Sequence, residues 1–165
     1  MKPSRARVLQ EGLVAGLIGY ATIALFYFVV DIARGRPLFF TAALLGRTVS
    51  GGSGSAAEVV VAPGPVFAYN GIHLLAFLFI GLAVAWLVFE LELHPVFWYV
   101  VFFLLLGGFF MSLVIMLAVA ERLAELIPWW SVLGANLLTA AAMGMYLHAA
   151  HRRLWRELRG TPPSE

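Results

Sequence analysis

Four apolar stretches, each about as long as a bilayer is thick, constrain this chain more than any other feature. The first runs from Gly12 to Val30 and stops at Asp31. The second runs from about Val66 to Phe89, before Glu90. The third covers 96–120, after His94-Pro95 and before Glu121, and the fourth covers 128–150, before a basic tail. Roughly 20 helical residues rise about 30 Å, the thickness of the hydrocarbon core. A single segment in lipid satisfies its own backbone only as a helix. The sequence therefore predicts an all-α, polytopic integral membrane protein. It is expected to be a four-transmembrane-helix antiparallel bundle, with residues 1–165 forming one domain.

Composition narrows the function classes. Charged residues make up 12% of the chain, about half the roughly 25% of soluble domains. Mean hydropathy is +0.91, and a soluble monomer of this length has too little interior to hide so much apolar surface. There is no cysteine, which removes disulfides, thiolate metal sites and thiol redox relays. The 11 Lys and Arg residues form no stripe interleaved with aromatics, so no nucleic-acid partner is expected.

Orientation follows from basic residues at the span ends. Lys2, Arg5, Arg7, Arg152, Arg153, Arg156 and Arg159 fall on one face of an even number of spans. Arg34, Arg36, Arg47 and Arg122 fall on the other, offset by Asp31, Glu58, Glu121 and Glu125. Both termini are therefore expected in the cytoplasm, with the protein multi-pass in a bacterial-type inner (plasma) membrane. The first stretch exceeds the usual apolar length of a signal peptide and is followed by no small-x-small cleavage site, so it reads as a retained anchor.

The links after the second and third stretches are short and force antiparallel neighbours. The long connection, 31–65, is expected outside. Within it, Arg36 to Gly46 suits a short interfacial helix, with Pro37 near its start and Gly46 at its stop. The tract Ser50-Gly-Gly-Ser-Gly-Ser55 lacks the Gly-Lys-Ser/Thr ending of a phosphate-cradling loop. Leu147 to Leu158 is expected to carry the fourth helix onward, so that 151–165 forms a basic cytoplasmic tail on anionic headgroups.

Small residues let helix backbones approach in lipid, where water does not drive association. The candidates are Gly12, Gly16 and Gly19 on the first helix, Gly107 and Gly108 on the third, and Ala140 and Gly144 on the fourth. Gly71 and Gly81 lie on the second. The aromatics suit lipid-facing surfaces and interfacial belts at Trp98-Tyr99 and Trp129-Trp130.

Two polar groups stand out. Counting from the helix ends places His73, Ser112 and Asn136 in one layer about 10 Å below the outer surface, with Tyr27, Tyr69 and Asn70 around it. Polar side chains at that depth turn inward and find partners, as a register-fixing network or as the lining of a ligand or solute site. No carboxylate is available to orient the histidine, so Ser–His catalysis is not expected. At the cytoplasmic face, Glu90, Glu92, His94, His148 and His151 carry the donor types of a divalent-metal site. Their ordinary alternative is interfacial ion pairing and helix capping. His73 lies far in depth from His148 and His151, which rules out a bis-histidine haem, and no cofactor is expected. No charge sits mid-span, which disfavours charge-coupled transport. The expectation is a non-catalytic accessory subunit of a larger respiratory, photosynthetic or transport assembly, with lipid and membrane-protein subunits or further copies as partners. The competing expectation is a small channel, transporter or ligand-binding protein using the layer around His73, Ser112 and Asn136.

Overall fold

The computed structural model describes residues 5–49, 59–94 and 126–151, with the separate positions 96, 99, 102, 106, 107, 110 and 114. Among the described residues there are four helices and no strand: α1 (Arg5–Ala33), α2 (Phe40–Val49), α3 (Pro63–Leu93) and α4 (Trp129–Ala150). Three of them, α1, α3 and α4, are long and apolar enough to cross a membrane, at 29, 31 and 22 residues. Their lengths are about 43, 46 and 33 Å at 1.5 Å per residue, so each exceeds the hydrocarbon thickness. Large apolar side chains such as Leu25, Phe67, Leu75, Phe79 and Met145 point outward on all three. That suits a lipid solvent and would be a liability in water.

Helix α1 is the hub and packs on α3 and α4. It runs antiparallel to both: Gly12 faces Leu82, Gly19 faces Phe77 and Met143, and the Arg7 guanidinium reaches the Ala150 carbonyl. Glycine makes this closeness possible. A Cβ on Gly16 would lie 2.6 Å from the Phe77 carbonyl oxygen, and one on Gly81 would collide with the backbone of Gly12 and Gly16. The core along this seam is Ala15, Phe77, Val88, Leu91, Met143 and Leu147.

The fourth helix packs differently from its small-residue spacing. Its buried stripe is Val132, Ala135, Thr139, Met143 and Leu147, close to one residue per turn. Ala140 and Gly144 lie on the exposed side, and no described residue comes within 4 Å of a Cβ built on Gly144. Gly107 is likewise open, and Gly108 lies outside the described residues.

Several boundaries differ from the sequence expectation, for local reasons. Helix α3 begins at Pro63 rather than Val66, because a proline in the first turn gives up a backbone donor that had no helical acceptor. It continues through Glu90 to Leu93, where the His94 N–H closes on the Glu90 carbonyl. Helix α4 ends at Ala150, with His151 in a non-helical conformation as its cap, so the expected continuation toward Leu158 stops at His151. Residues 152–165 lie outside the described set.

Helix α2 starts at Phe40, three residues after Pro37, and passes through Gly46 instead of stopping there. Its start is fixed by tertiary structure: Asp31, near the end of α1, accepts hydrogen bonds from the Thr41 backbone N–H (2.9 Å) and hydroxyl (2.7 Å). Gly46 is needed where α2 crosses the Pro65 backbone, which leaves no room for a side chain. Phe40, Thr41, Ala43 and Leu44 are buried, so much of α2 faces protein.

Candidate functional site

At the α2 end of the bundle, α1, α2 and α3 enclose a cavity of about 50 Å³. From α1 come Ala24, Tyr27, Phe28 and Asp31; from α3 come Tyr69, Asn70 and His73. Phe39, Thr41 and Ala42 close it from the α2 side. Tyr69, Asn70 and His73 converge because positions i, i+1 and i+4 share one sector of a helix. Tyr27, four residues before Asp31, faces them from α1.

Asn70 ties the wall together. Its Oδ1 accepts from the Tyr20 hydroxyl at 2.9 Å, and its Nδ2 donates to the Val66 carbonyl at 2.8 Å. The His73 imidazole is held by rings: stacked on Tyr69 (4.9 Å, 24°) and edge-on to Phe77 (5.0 Å). Its Nε2 is fully enclosed, with no hydrogen-bond partner among the described residues. Buried polar atoms in this condition are rare and mark places where a protein forgoes stability.

Asp31 is 1% exposed, and its carboxylate joins α1 to the start of α2 through Thr41. The adjacent Phe39 adopts φ 64°, a left-handed backbone that side chains other than glycine's disfavour. This conformation is held by the Phe39 carbonyl accepting from the Ala43 N–H (2.8 Å), and the Phe39 ring meets Phe28 at 6.1 Å. The neighbouring arginines are engaged elsewhere: Arg34 and Arg36 both donate to the Leu126 carbonyl, at 3.1 and 2.7 Å. Arg36 also lies 4.8 Å from the centre of the Phe40 ring. Burial and the nearby Arg34 charge push the Arg36 guanidinium down from its ordinary value, with Asp31 opposing them. A guanidinium stays protonated through such a shift.

Of the expected polar layer, Tyr27, Tyr69, Asn70 and His73 share this cavity. Asn136 does not line it; its amide donates to the Val132 carbonyl one turn back on α4. Ser112 lies outside the described residues. Sequence reasoning missed three participants. Asp31 reads as the solvated end of a span, and Phe39 and Thr41 as loop and interfacial helix. The available signal was the Asp and Thr ten residues apart across a turn containing Gly35 and Pro37.

The opposite end holds a second cluster. The His151 ring lies between two carboxylates, with Nδ1 2.6 Å from Glu92 Oε1 and Nε2 2.8 Å from Glu11 Oε2. Arg7 donates to the other Glu11 oxygen at 2.8 Å. α1, α3 and the cap of α4 are thereby clasped around one buried imidazole. Of the five candidate metal ligands, Glu92 and His151 meet. Glu90 and His94 close the end of α3, and His148 is on the exposed side of α4. Among the described residues, no group of three or more His, Asp or Glu is placed to hold a metal ion. Here the imidazole occupies the space between the carboxylates. Glu11, which completes the clasp, carried one signal in the sequence, its i, i+4 spacing from Arg7.

Compared with protein-family models, with curated proteins and with solved structures, the chain matches none.

Proposed function

We propose that this protein is a non-catalytic, four-span accessory subunit of a larger membrane assembly. In this reading it lies in a bacterial-type inner membrane with both termini cytoplasmic. One observation carries the subunit reading: the small-residue face of α4 around Ala140 and Gly144 is turned outward, with no described residue against Gly144. Lipid gains nothing special from such a face, whereas a partner helix can approach its backbone closely. Two further features support four spans. Leu93 ends α3 beside the Glu92–His151 clasp, and Leu126 lies beside Arg34 and Arg36 at the opposite end of the bundle. The described positions 99, 102, 106, 107, 110 and 114 are helical.

The test is native mass measured after extraction into polymer-bounded lipid discs. The wild-type chain is expected in a larger particle of fixed composition. Gly144→Leu is expected to release it while leaving its own thermal unfolding unchanged. Release as a lone monomer from native membrane contradicts the subunit reading.

A second reading, a small-ligand-binding membrane protein, is favoured by the enclosed, unpartnered His73 Nε2 beside the cavity. His73→Ala separates the two. Loss of assembly alone supports a structural role, and loss of binding with assembly intact supports a ligand site.

A further inference from the structure

We propose that the cavity between α1, α2 and α3 binds a small organic ammonium group, which rests against the Asp31 carboxylate between aromatic walls. The proposal goes beyond the subunit reading and does not depend on whether a partner docks on α4.

Charge is the first argument. Asp31 is 1% exposed, and no cationic side chain among the described residues lies within ion-pair distance of it. Arg36 feels the Asp31 charge without forming an ion pair with it, and buried carboxylates are costly and ordinarily paired. Thr41 occupies two acceptor positions, and a carboxylate has about four. The arginines three and five residues on turn their guanidinium groups to the Leu126 carbonyl.

Chemical class follows from the walls. Tyr27, Phe28, Phe39 and Tyr69 bound the cavity with Asp31. Aromatic rings attract cations through their quadrupole, and cages of this composition receive alkylated ammonium ions. A bare metal cation wants about six or more oxygens, more than Asp31, Thr41 and two phenols supply. Phe39 holds its place in the wall at the cost of a left-handed backbone, a kind of strain that gathers at binding sites.

Size sets the limit. A cavity of about 50 Å³, at roughly 10–15 Å³ per enclosed water, has room for about three to five heavy atoms. That admits a methylated ammonium ion or the amine end of an ethanolamine headgroup, and excludes a quinone ring. The cavity lies at the end of the bundle that carries Trp129 and Trp130, both exposed as interfacial tryptophans are. A free amine and a zwitterionic lipid both present the required group at that level.

The test uses the full chain in lipid-depleted detergent, with thermal unfolding as the readout. Tetramethylammonium and ethanolammonium chloride are titrated against sodium chloride at matched ionic strength. The expected result is a saturable rise in the midpoint with at least one organic cation and none with sodium. Asp31→Asn abolishes it. Tyr69→Leu, which leaves the Asp31–Thr41 bonds in place, weakens the apparent affinity about thirtyfold, as loss of one desolvated cation–π contact does. A second arm compares discs of phosphatidylglycerol alone with discs containing phosphatidylethanolamine. If lipid is the source, ethanolamine lipid raises the midpoint and added cation raises it no further; if a free amine is the source, added cation acts equally in both. The absence of a saturable shift in every arm overturns the proposal, as does an equal shift in Asp31→Asn. Should Asp31→Asn not fold, unchanged affinity in Tyr69→Leu overturns it.

Discussion

Gly16→Ala tests the packing that organises this bundle. The added Cβ would lie 2.6 Å from the Phe77 carbonyl oxygen and 2.9 Å from the Leu78 Cα, whereas ordinary contact begins near 3.4 Å. Both obstacles are backbone, so no side chain can swing aside. The helices must part locally by about 0.8 Å at the tightest contact. A gap of roughly 0.5–1 Å forfeits a quarter to a half of each dispersion contact it opens, and overpacking costs about 1–3 kcal/mol in tight sites. With the seam continuing through Gly12 and Gly81, Gly16→Ala is expected to destabilise by about 2–3 kcal/mol. Gly81→Ala meets the same backbone from the other side. The double variant should therefore cost clearly less than the two singles added, because one separation relieves both. The assay is reversible unfolding in mixed micelles, with Gly144→Ala as the control. That control should stabilise by up to about 1 kcal/mol, the gain of alanine over glycine in an exposed helix interior. A neutral Gly16→Ala, or a Gly144→Ala that costs as much, refutes the reasoning.

Thr41→Val removes one of the two hydrogen bonds to the buried Asp31 carboxylate. It should cost about 1.5–3 kcal/mol, the range for bonds to charged groups, and loosen the start of α2 in amide exchange before the rest of the bundle opens. Replacing His151 by Ala leaves Glu11 and Glu92 facing each other without the ring between them. Breaking such a buried pair costs about 3–5 kcal/mol when fully enclosed; the partial exposure of the carboxylates puts the expected loss near the lower end, measured by the same unfolding assay. Gly35→Ala should cost about 1 kcal/mol, from the positive φ of 66° alone, since a Cβ there meets nothing. A loss several-fold larger would show that the turn is packed more tightly than described.

Sequence reasoning reached the long helices because each is encoded by its own composition: an apolar run in lipid has few alternatives to a helix. Helices α1 and α3 extend beyond the apolar stretches, because capping is local geometry that hydropathy does not record. Pro63 extends α3 backward, and His151 halts α4 at a buried clasp. Helix α2 was legible as a helix, but its register depends on Asp31, nine residues before its first turn. Small-residue spacing identified Gly12, Gly16 and Gly19 as a packing face. The same spacing at Ala140 and Gly144 gave no direction, since the stripe through Ala135, Thr139 and Met143 turns inward instead. Counting residues from the helix ends placed His73, Ser112 and Asn136 in one layer with Tyr27, Tyr69 and Asn70 around it; the cavity joins His73 to the last three, Asn136 does not line it, and Ser112 lies outside the described residues. Asp31 escaped notice because a charge at the end of a span ordinarily faces water.

The account holds that one small-residue face, on α1, is consumed inside this chain, and that a second, on α4, is offered to another. Site-specific photocrosslinking in native membranes tests that division most directly, with the reactive group placed in turn at position 144 and at the lipid-facing Phe79. The account predicts a discrete crosslinked protein product from position 144 and only lipid adducts from position 79. Lipid adducts alone from both positions would contradict it.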